Sequence, residues 1–160
     1  INNVVEPTLR ELSQATQESA SFYVREGDER ACIARVEGPQ SVRHHVRMGM
    51  RLPLNLGAPG RVILAFSGES GVVYEDIRRR GYHVSMGERE QQVSSVAAPV
   101  FGLNWHLLGS MCISGPTSRL TEKVLKAHAQ TVMDAANRLS YALAGEKSEN
   151  TPNVVSTWHP

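Results

Sequence analysis

The sequence predicts an α+β domain in which a curved, mostly antiparallel, six-stranded sheet is flanked by helices. Segments with alternating apolar and polar residues, typical of strands, recur in pairs around short turns, and segments with helical spacing stand between those pairs. Strands joined as hairpins pair antiparallel. The 160 residues show no internal repeat, so we expect one domain over residues 1–145. Residues 146–160 are polar and contain two prolines, which predicts a loosely ordered tail.

Composition and charge narrow the class of protein. The formal net charge is only +1, so the overall field would not hold DNA or an acidic membrane surface. Cys32 and Cys112 each lie in an apolar run and there is no CxxC, which favours free thiols in a reducing cytosol. No apolar run approaches the ~18 residues of a membrane helix, and we expect a cytoplasmic protein.

The first half of the chain predicts one helix and three strands. Residues 8–16 have helical spacing, with Pro7 as a plausible start. Residues 20–26 and 31–37 alternate around a Gly-Asp turn and predict a hairpin, in which Cys32, Ala34 and Val36 share a face. Residues 42–47 predict a third strand of the same sheet.

The second half predicts three helices. The first begins at Pro59 and ends at Gly68. The second ends in three consecutive arginines before Gly81; cations there offset the helix dipole, and we favour that role over DNA binding. A short strand over residues 82–85 follows. The last helix spans residues 119–144, with Gly145 just past its end.

The most informative segment is a buried hairpin over residues 94–116. Alternation places Leu107, Gly109, Met111 and Ile113 on one face of its second strand and Leu108, Ser110, Cys112 and Ser114 on the other. The small, weakly polar side chains of that second face are too small to fill an interior. Two interpretations remain open: a ligand occupies the space above them, or they pack under a helix and bond to backbone carbonyls.

Catalytic and metal-binding patterns are scarce. The six histidines are spread along the chain, with only His44 and His45 adjacent, and they lack the spacing of a metal site. The sequence has no nucleophile elbow, P-loop or dinucleotide fingerprint. Ser114 precedes a Gly-Pro turn, but no base is placed to activate it. We therefore expect neither an enzyme nor a resident metal or cofactor.

The small-residue run Leu-Gly-Ala-Pro-Gly-Arg at residues 56–61 opens a helix and leaves backbone N–H groups uncovered. Such a terminus attracts a carboxylate. Pro59 lacks a donor, so the amides of Ala58, Gly60 and Arg61 are the expected contributors. The alternative is a plain helix cap under a loop.

Several of these motifs, taken in order, resemble a known family. They are Gly-Met-Arg-Leu-Pro-Leu at residues 49–54, Gly-Ala-Pro-Gly-Arg-Val-Ile-Leu-Ala at 57–65, Arg-Gly-Tyr at 80–82, Ala-Ala-Pro-Val-Phe at 97–101 and Ile-Ser-Gly-Pro at 113–116. The chain is similar, over about residues 9–145, to the C-terminal effector-binding domain of IclR-type bacterial transcription regulators. The resemblance implies a GAF-like fold around a pocket for a small metabolite. It also implies a homodimer or homotetramer that reaches DNA only through an N-terminal winged helix-turn-helix domain, which we expect to be absent from this chain.

The resemblance also implies the site residues: Gly57, Ala58, Pro59, Gly60, Ser85, Ser95, Cys112 and Ser114. Family members that sense small oxyacids often have an acidic residue near Ser85 and a serine at position 112, so this pocket is expected to be less polar. The expected effector is a short carboxylate, semialdehyde or hydroxy acid, with an aromatic acid as second choice. The alternative is a GAF-like dimerisation core without a ligand. Self-association is expected along His44, His45 and Arg47 and around Val73 and Ile77.

Overall fold

A computed structural model describes residues 2–40 and 46–147. The helices are α1 (Asn2–Thr16), α2 (Ala58–Phe66), α3 (Val72–Arg80) and α4 (Glu122–Lys147). The strands are β1 (Ser19–Glu26), β2 (Glu29–Val36), β3 (Arg51–Pro53), β4 (His83–Met86), β5 (Val93–Phe101) and β6 (Leu107–Pro116). They form one sheet in the order β3-β2-β1-β6-β5-β4, with each neighbouring pair antiparallel. The predicted α+β class is confirmed.

The sheet separates two apolar clusters. On one face α1 packs against β1 and β2 and α4 against β5 and β6, the two helices also contact each other, and their cluster contains Leu9, Leu139 and Met111. On the other face α2, with α3 behind it, packs against β5 and β6 and contributes Val62 and Ile63. Because side chains alternate along a strand, β6 supplies both clusters.

The boundaries of α1 and α4 differ from the sequence prediction. Helix α1 begins at Asn2, five residues before Pro7, because Val5 is fully buried with Leu9 and its packing outweighs the one backbone hydrogen bond that proline removes. Helix α4 begins at Glu122, where the Thr121 hydroxyl accepts the N–H of Val124. It continues through Gly145, so the predicted stop there is wrong.

Two β-bulges reverse parts of the predicted faces. Phe22 pairs with Ala34 while Tyr23 pairs with Cys32, so Ile33 is the extra residue of β2. Cys32 consequently joins the α2 cluster and Ala34 the α1–α4 cluster, and the prediction that they share a face is wrong.

A second register shift lies between Val100 and Phe101. It places Leu107 against the α2 cluster and Leu108 against the α1–α4 cluster, the reverse of the predicted arrangement. Beyond this bulge Met111 and Cys112 face opposite ways, as the alternation predicted.

Strand β3 lies at residues 51–53, inside a segment that the sequence analysis treated only as a motif. Most of the strand predicted at residues 42–47 lies outside the described residues, as do His44, His45 and residues 148–160 of the predicted tail.

The arginines ending α3 have local roles: Arg78 donates to the carbonyls of Ala65 and Glu69, and Gly81 provides the left-handed C-cap. Ile77 is fully buried, so it is not available for the self-association surface predicted around it.

Candidate functional site

A buried cavity lies between the start of α2 and the inner face of the sheet. It is lined by Tyr23, Arg30, Gly57, Pro59, Ser85, Arg89, Val93, Ser95, Cys112 and Ser114. Six of the eight residues that the sequence analysis selected are among these. The cavity volume is about 20 Å³, enough for one water molecule.

Sheet register explains why the three selected serines meet. Ser85 on β4 pairs with Ser95 on β5, which pairs with Ser114 on β6. Directly opposed residues share a face, so the three side chains form a row across the sheet. None of their hydroxyl groups makes a hydrogen bond within the described part of the chain, although each residue is at most 6% exposed. The row therefore offers free hydroxyls to the cavity.

Two neighbouring groups on this face behave differently. The Ser110 hydroxyl donates to the Pro59 carbonyl at 2.9 Å, so for Ser110 the interpretation of a small side chain bonded under a helix is correct. Cys112 lines the cavity, and burial raises the pKa of its thiol to about 12. Cys112 is thus a neutral, small wall group near neutral pH and not a nucleophile.

Two of the selected residues do not line the cavity. Ala58 is fully buried in the α2 cluster, and a Cβ on Gly60 would lie 2.1 Å from the carbonyl oxygen of Leu54. The helix also begins one residue earlier than predicted, so the Arg61 amide bonds to the Gly57 carbonyl and is not free for a ligand. The predicted contribution of that amide is wrong.

The chain's own Glu88 occupies the start of α2. Its Oε1 accepts the Gly57 N–H at 3.2 Å and the Arg61 Nε–H at 2.7 Å, and its Oε2 lies 3.6 Å from Nε2 of His83. Arg80 approaches Nδ1 of His83 at 3.3 Å and can only donate, so the tautomer that carries its proton on Nε2, facing Glu88, fits both neighbours. The contact ties the loop between β4 and β5 to the helix start.

These neighbours change the titration of Glu88. The His83 ring, the Gly57 amide and Arg61 together lower the pKa of the carboxyl to about 2, against the opposing effect of partial burial. In the unfolded chain the value is about 4.3. Because the unfolded state takes up the proton first, the contribution of Glu88 to stability is complete above about pH 5 and is lost as the pH falls towards 2.

Replacing Glu88 isolates this contribution. We expect Glu88→Gln to lower the free energy of unfolding at pH 7 and the difference from wild type to shrink steadily between about pH 5 and pH 2. Urea unfolding at several pH values measures this difference. A difference that stays constant over that range would contradict the assigned contact.

Arg30 is the unusual group of the cavity wall. It is 2% exposed, its guanidinium lies 4.9 Å from the centre of the Tyr23 ring, and its Nη1 donates to the carbonyls of Pro53 and Leu56. Its buried Nε has no hydrogen-bond partner among the described residues. Burial lowers the pKa of Arg30, and the charge of Arg89 acts in the same direction. The cavity wall therefore carries the positive charge of Arg30, which forms no ion pair with a described carboxylate.

The sequence patterns did not identify four residues of the site, which are Arg30, Tyr23, Arg89 and Glu88. Arg30 follows a turn and has the appearance of a hairpin-edge cation, while Glu88 and Arg89 lie in a hydrophilic loop. The motif Leu-Pro-Leu at residues 52–54 is the one relevant signal, because β3 and the turn after it cover Arg30.

Two other concave surfaces lie away from the serine row. An open cleft of about 900 Å³ lies between the β1–β2 and β5–β6 turns and includes Trp105 and His106. A groove of about 240 Å³ between β5 and α4 is largely apolar, with Phe101 and Met133 in its wall. Within the described ranges no group of acidic, histidine and cysteine side chains could hold a metal ion, and no helix is long and apolar enough to cross a membrane.

Comparison with known proteins identifies the family. Residues 1–74 and 72–141 match the family model described as "Bacterial transcriptional regulator IclR C-terminal". The HTH-type transcriptional regulators KipR of Bacillus subtilis and BhcR of Paracoccus denitrificans are 28% and 27% identical to the chain, each over 88% of its length. The chain spans 66% and 60% of those two relatives.

Solved structures agree. The IclR protein of Thermotoga maritima superposes with a TM-score of 0.80 at 26% identity, covering 89% of this chain and 68% of that one. The C-terminal domain of a Vibrio cholerae transcriptional regulator gives a TM-score of 0.74 at 29% identity, covering 86% of this chain and 94% of that one. The shared sequence motifs, the antiparallel six-stranded sheet and these matches together show that the chain belongs to the IclR family of bacterial transcriptional regulators and corresponds to the family's C-terminal domain.

Proposed function

We propose that this domain is the sensor of an IclR-type regulator, that it binds a small organic acid in the cavity between α2 and the sheet, and that binding changes how subunits associate. The observation that carries the proposal is the row of unbonded hydroxyls on Ser85, Ser95 and Ser114, which lies in one buried wall with Arg30. Convergent polar groups in a buried concavity are typical of small-molecule sites. The effector class is a short carboxylate, semialdehyde or hydroxy acid, with an aromatic acid second.

The size of the cavity makes a conformational change part of the proposal. A volume of about 20 Å³ holds a water molecule and no organic acid, so the wall has to move when a ligand enters. Arg89 belongs to this wall, and the loop that carries it is fastened to α2 by the Glu88 contacts. A ligand that binds only the opened arrangement shifts the population towards it, which is what a sensor requires.

The second candidate is a dimerisation core without a physiological ligand. The small volume of the cavity favours it, because an empty structural gap of this size needs no ligand. Under this alternative the serine row would contribute only to packing.

Two adjacent serines on β5 provide the test. Ser95 lines the cavity, whereas Ser94 lies on the opposite face and donates to the Leu120 carbonyl at 2.6 Å. We expect acetate, glycolate, succinate semialdehyde or benzoate to raise the melting temperature of wild type; saturation at 100 times Kd adds about 2.7 kcal/mol. We expect Ser95→Ala to reduce this response with little change in stability. Ser94→Ala should cost about 1–3 kcal/mol and respond to the acid as wild type does.

Sedimentation velocity of the same samples tests the coupling to assembly. We expect the chain to self-associate and the balance between dimer and tetramer to change when the acid is added. A protein that stays monomeric at tens of micromolar with and without acid would contradict the coupling. If none of the acids changes the melting temperature, the ligand-free dimerisation core is the better account. If Ser94→Ala and Ser95→Ala lose the same part of the acid-induced rise in melting temperature, the acid binds elsewhere.

A further inference from the structure

We propose that Arg30 is the residue that recognises the carboxylate of the effector, through the edge of its guanidinium formed by Nε and Nη2. The proposal rests on the effector function proposed above and narrows it. It makes the ligand an anion with a planar carboxylate group and assigns the recognition of that group to β2 instead of the amides at the start of α2.

The hydrogen bonds of Arg30 to backbone carbonyls leave one edge of the guanidinium without a carbonyl or carboxylate acceptor. Nη1 can donate two hydrogen bonds, and the carbonyls of Pro53 and Leu56 accept both. Nε is buried without a partner among the described residues, and neither Nε nor Nη2 donates to a carbonyl or carboxylate oxygen there. The Tyr23 hydroxyl also contacts the guanidinium, and a ligand carboxylate would bind beside it. Nε–H and one N–H of Nη2 point the same way, a spacing that matches the two oxygens of a carboxylate.

The unpaired positive charge of Arg30 in the wall favours an anionic ligand. Arg30 is 2% exposed and has no ion pair with a described carboxylate. Arg89, also in the wall, has its Nη1 only 3.8 Å from the exposed Glu90 carboxylate. Burying the Arg30 guanidinium without a counter-charge is unfavourable. An anionic ligand would relieve that cost, whereas a neutral ligand would not.

The helix start, by contrast, is already occupied. Glu88 accepts the Gly57 amide and the Arg61 side chain, so a ligand carboxylate would have to displace an internal one there. Gly57 instead leaves room for the side chain of Arg30. A Cβ at position 57 would lie 3.1 Å from Nη2, so the absence of a side chain leaves the guanidinium edge uncrowded.

Matched acid and amide probes test the assignment in the 160-residue chain. We expect calorimetry to show that at least one of acetate, glycolate and benzoate binds tenfold or more tightly than its amide: acetamide, glycolamide or benzamide. Arg30→Lys keeps a positive charge but loses the two-pronged donor, and should weaken the acid at least tenfold. The control is Arg35→Lys, on the same strand, because Arg35 bonds to Ser21 and Glu37 and does not line the cavity. It should bind the acid as wild type does.

A measurement on wild type covers the case in which Arg30→Lys does not fold. The Nε–H resonance of Arg30, assigned through its own side-chain carbons, should move downfield when the acid saturates the protein. An unmoved resonance, equal affinity for acid and amide, or full acid affinity in Arg30→Lys would each overturn the role of Arg30 while the effector function stands. If no acid binds wild type, the effector function fails as well.

Discussion

Gly60→Ala is expected to lower the free energy of unfolding by about 3 kcal/mol or more, because the added methyl group meets backbone atoms that cannot turn aside. A Cβ at this position would lie 2.1 Å from the carbonyl oxygen of Leu54 and 2.7 Å from its carbon. The turn after β3 therefore packs directly on the first turn of α2. Its displacement would also move Pro59 and Gly57, which line the cavity, so ligand binding should fall together with stability.

Gly145→Ala is the matched control. Gly145 lies inside α4, is exposed, and a Cβ there would meet nothing within 4 Å. Alanine is the better helix former by up to about 1 kcal/mol, so this variant should be slightly more stable than wild type. Thermal unfolding should place Gly60→Ala roughly 6–12 °C below wild type for a chain of this length. A melting temperature within about 2 °C of wild type would show that the close contact does not exist.

The second large effect is expected at the ion pair between Glu18 and Arg119. Glu18 is 4% exposed and accepts two hydrogen bonds from Arg119, from Nε at 2.8 Å and from Nη2 at 2.7 Å. Arg119→Met leaves a buried carboxylate without its cation, and we expect a loss of about 3 kcal/mol. The pair joins the segment between α1 and β1 to the segment between β6 and α4, so its loss should loosen both.

The reverse substitution should cost less. Glu18→Gln keeps the shape of the side chain and leaves behind a cation whose side chain is 30% exposed, so water can solvate it. We expect a loss of about 1 kcal/mol, which urea unfolding of both variants would measure. Equal losses, or a larger loss in Glu18→Gln, would contradict the assigned asymmetry of burial.

Hydrophobic periodicity predicted the fold class and most elements because it reports which face of a segment is buried. It failed where one residue shifts the register. Cys32, Ile33 and Ala34 are all apolar, so their order does not reveal which of them forms the bulge, and each choice exchanges the faces. Pro7 and Gly145 usually mark helix ends, yet packing of Val5 and the low cost of one exposed glycine carry both helices past these residues.

Side-chain alternation predicted which strand residues line the cavity, but it did not predict the charged residues beside them. Alternation along β6 placed Cys112 and Ser114 together, and register then brought Ser95 and Ser85 into line. Arg30 could not be predicted, because its burial depends on how the turn before α2 folds over the edge of β2. Glu88 meets Gly57 across 31 residues, a contact that only the tertiary structure specifies.

Amide chemical-shift mapping tests the location of the binding site most directly. The ¹⁵N-labelled protein would be titrated with whichever of acetate, glycolate, succinate semialdehyde and benzoate stabilises it most. We expect the largest shifts on Gly57, Ser95, Cys112 and Ser114 and on the loop that carries Arg89. Shifts confined to the open cleft around Trp105 and His106, or to the groove beside Met133, would contradict it.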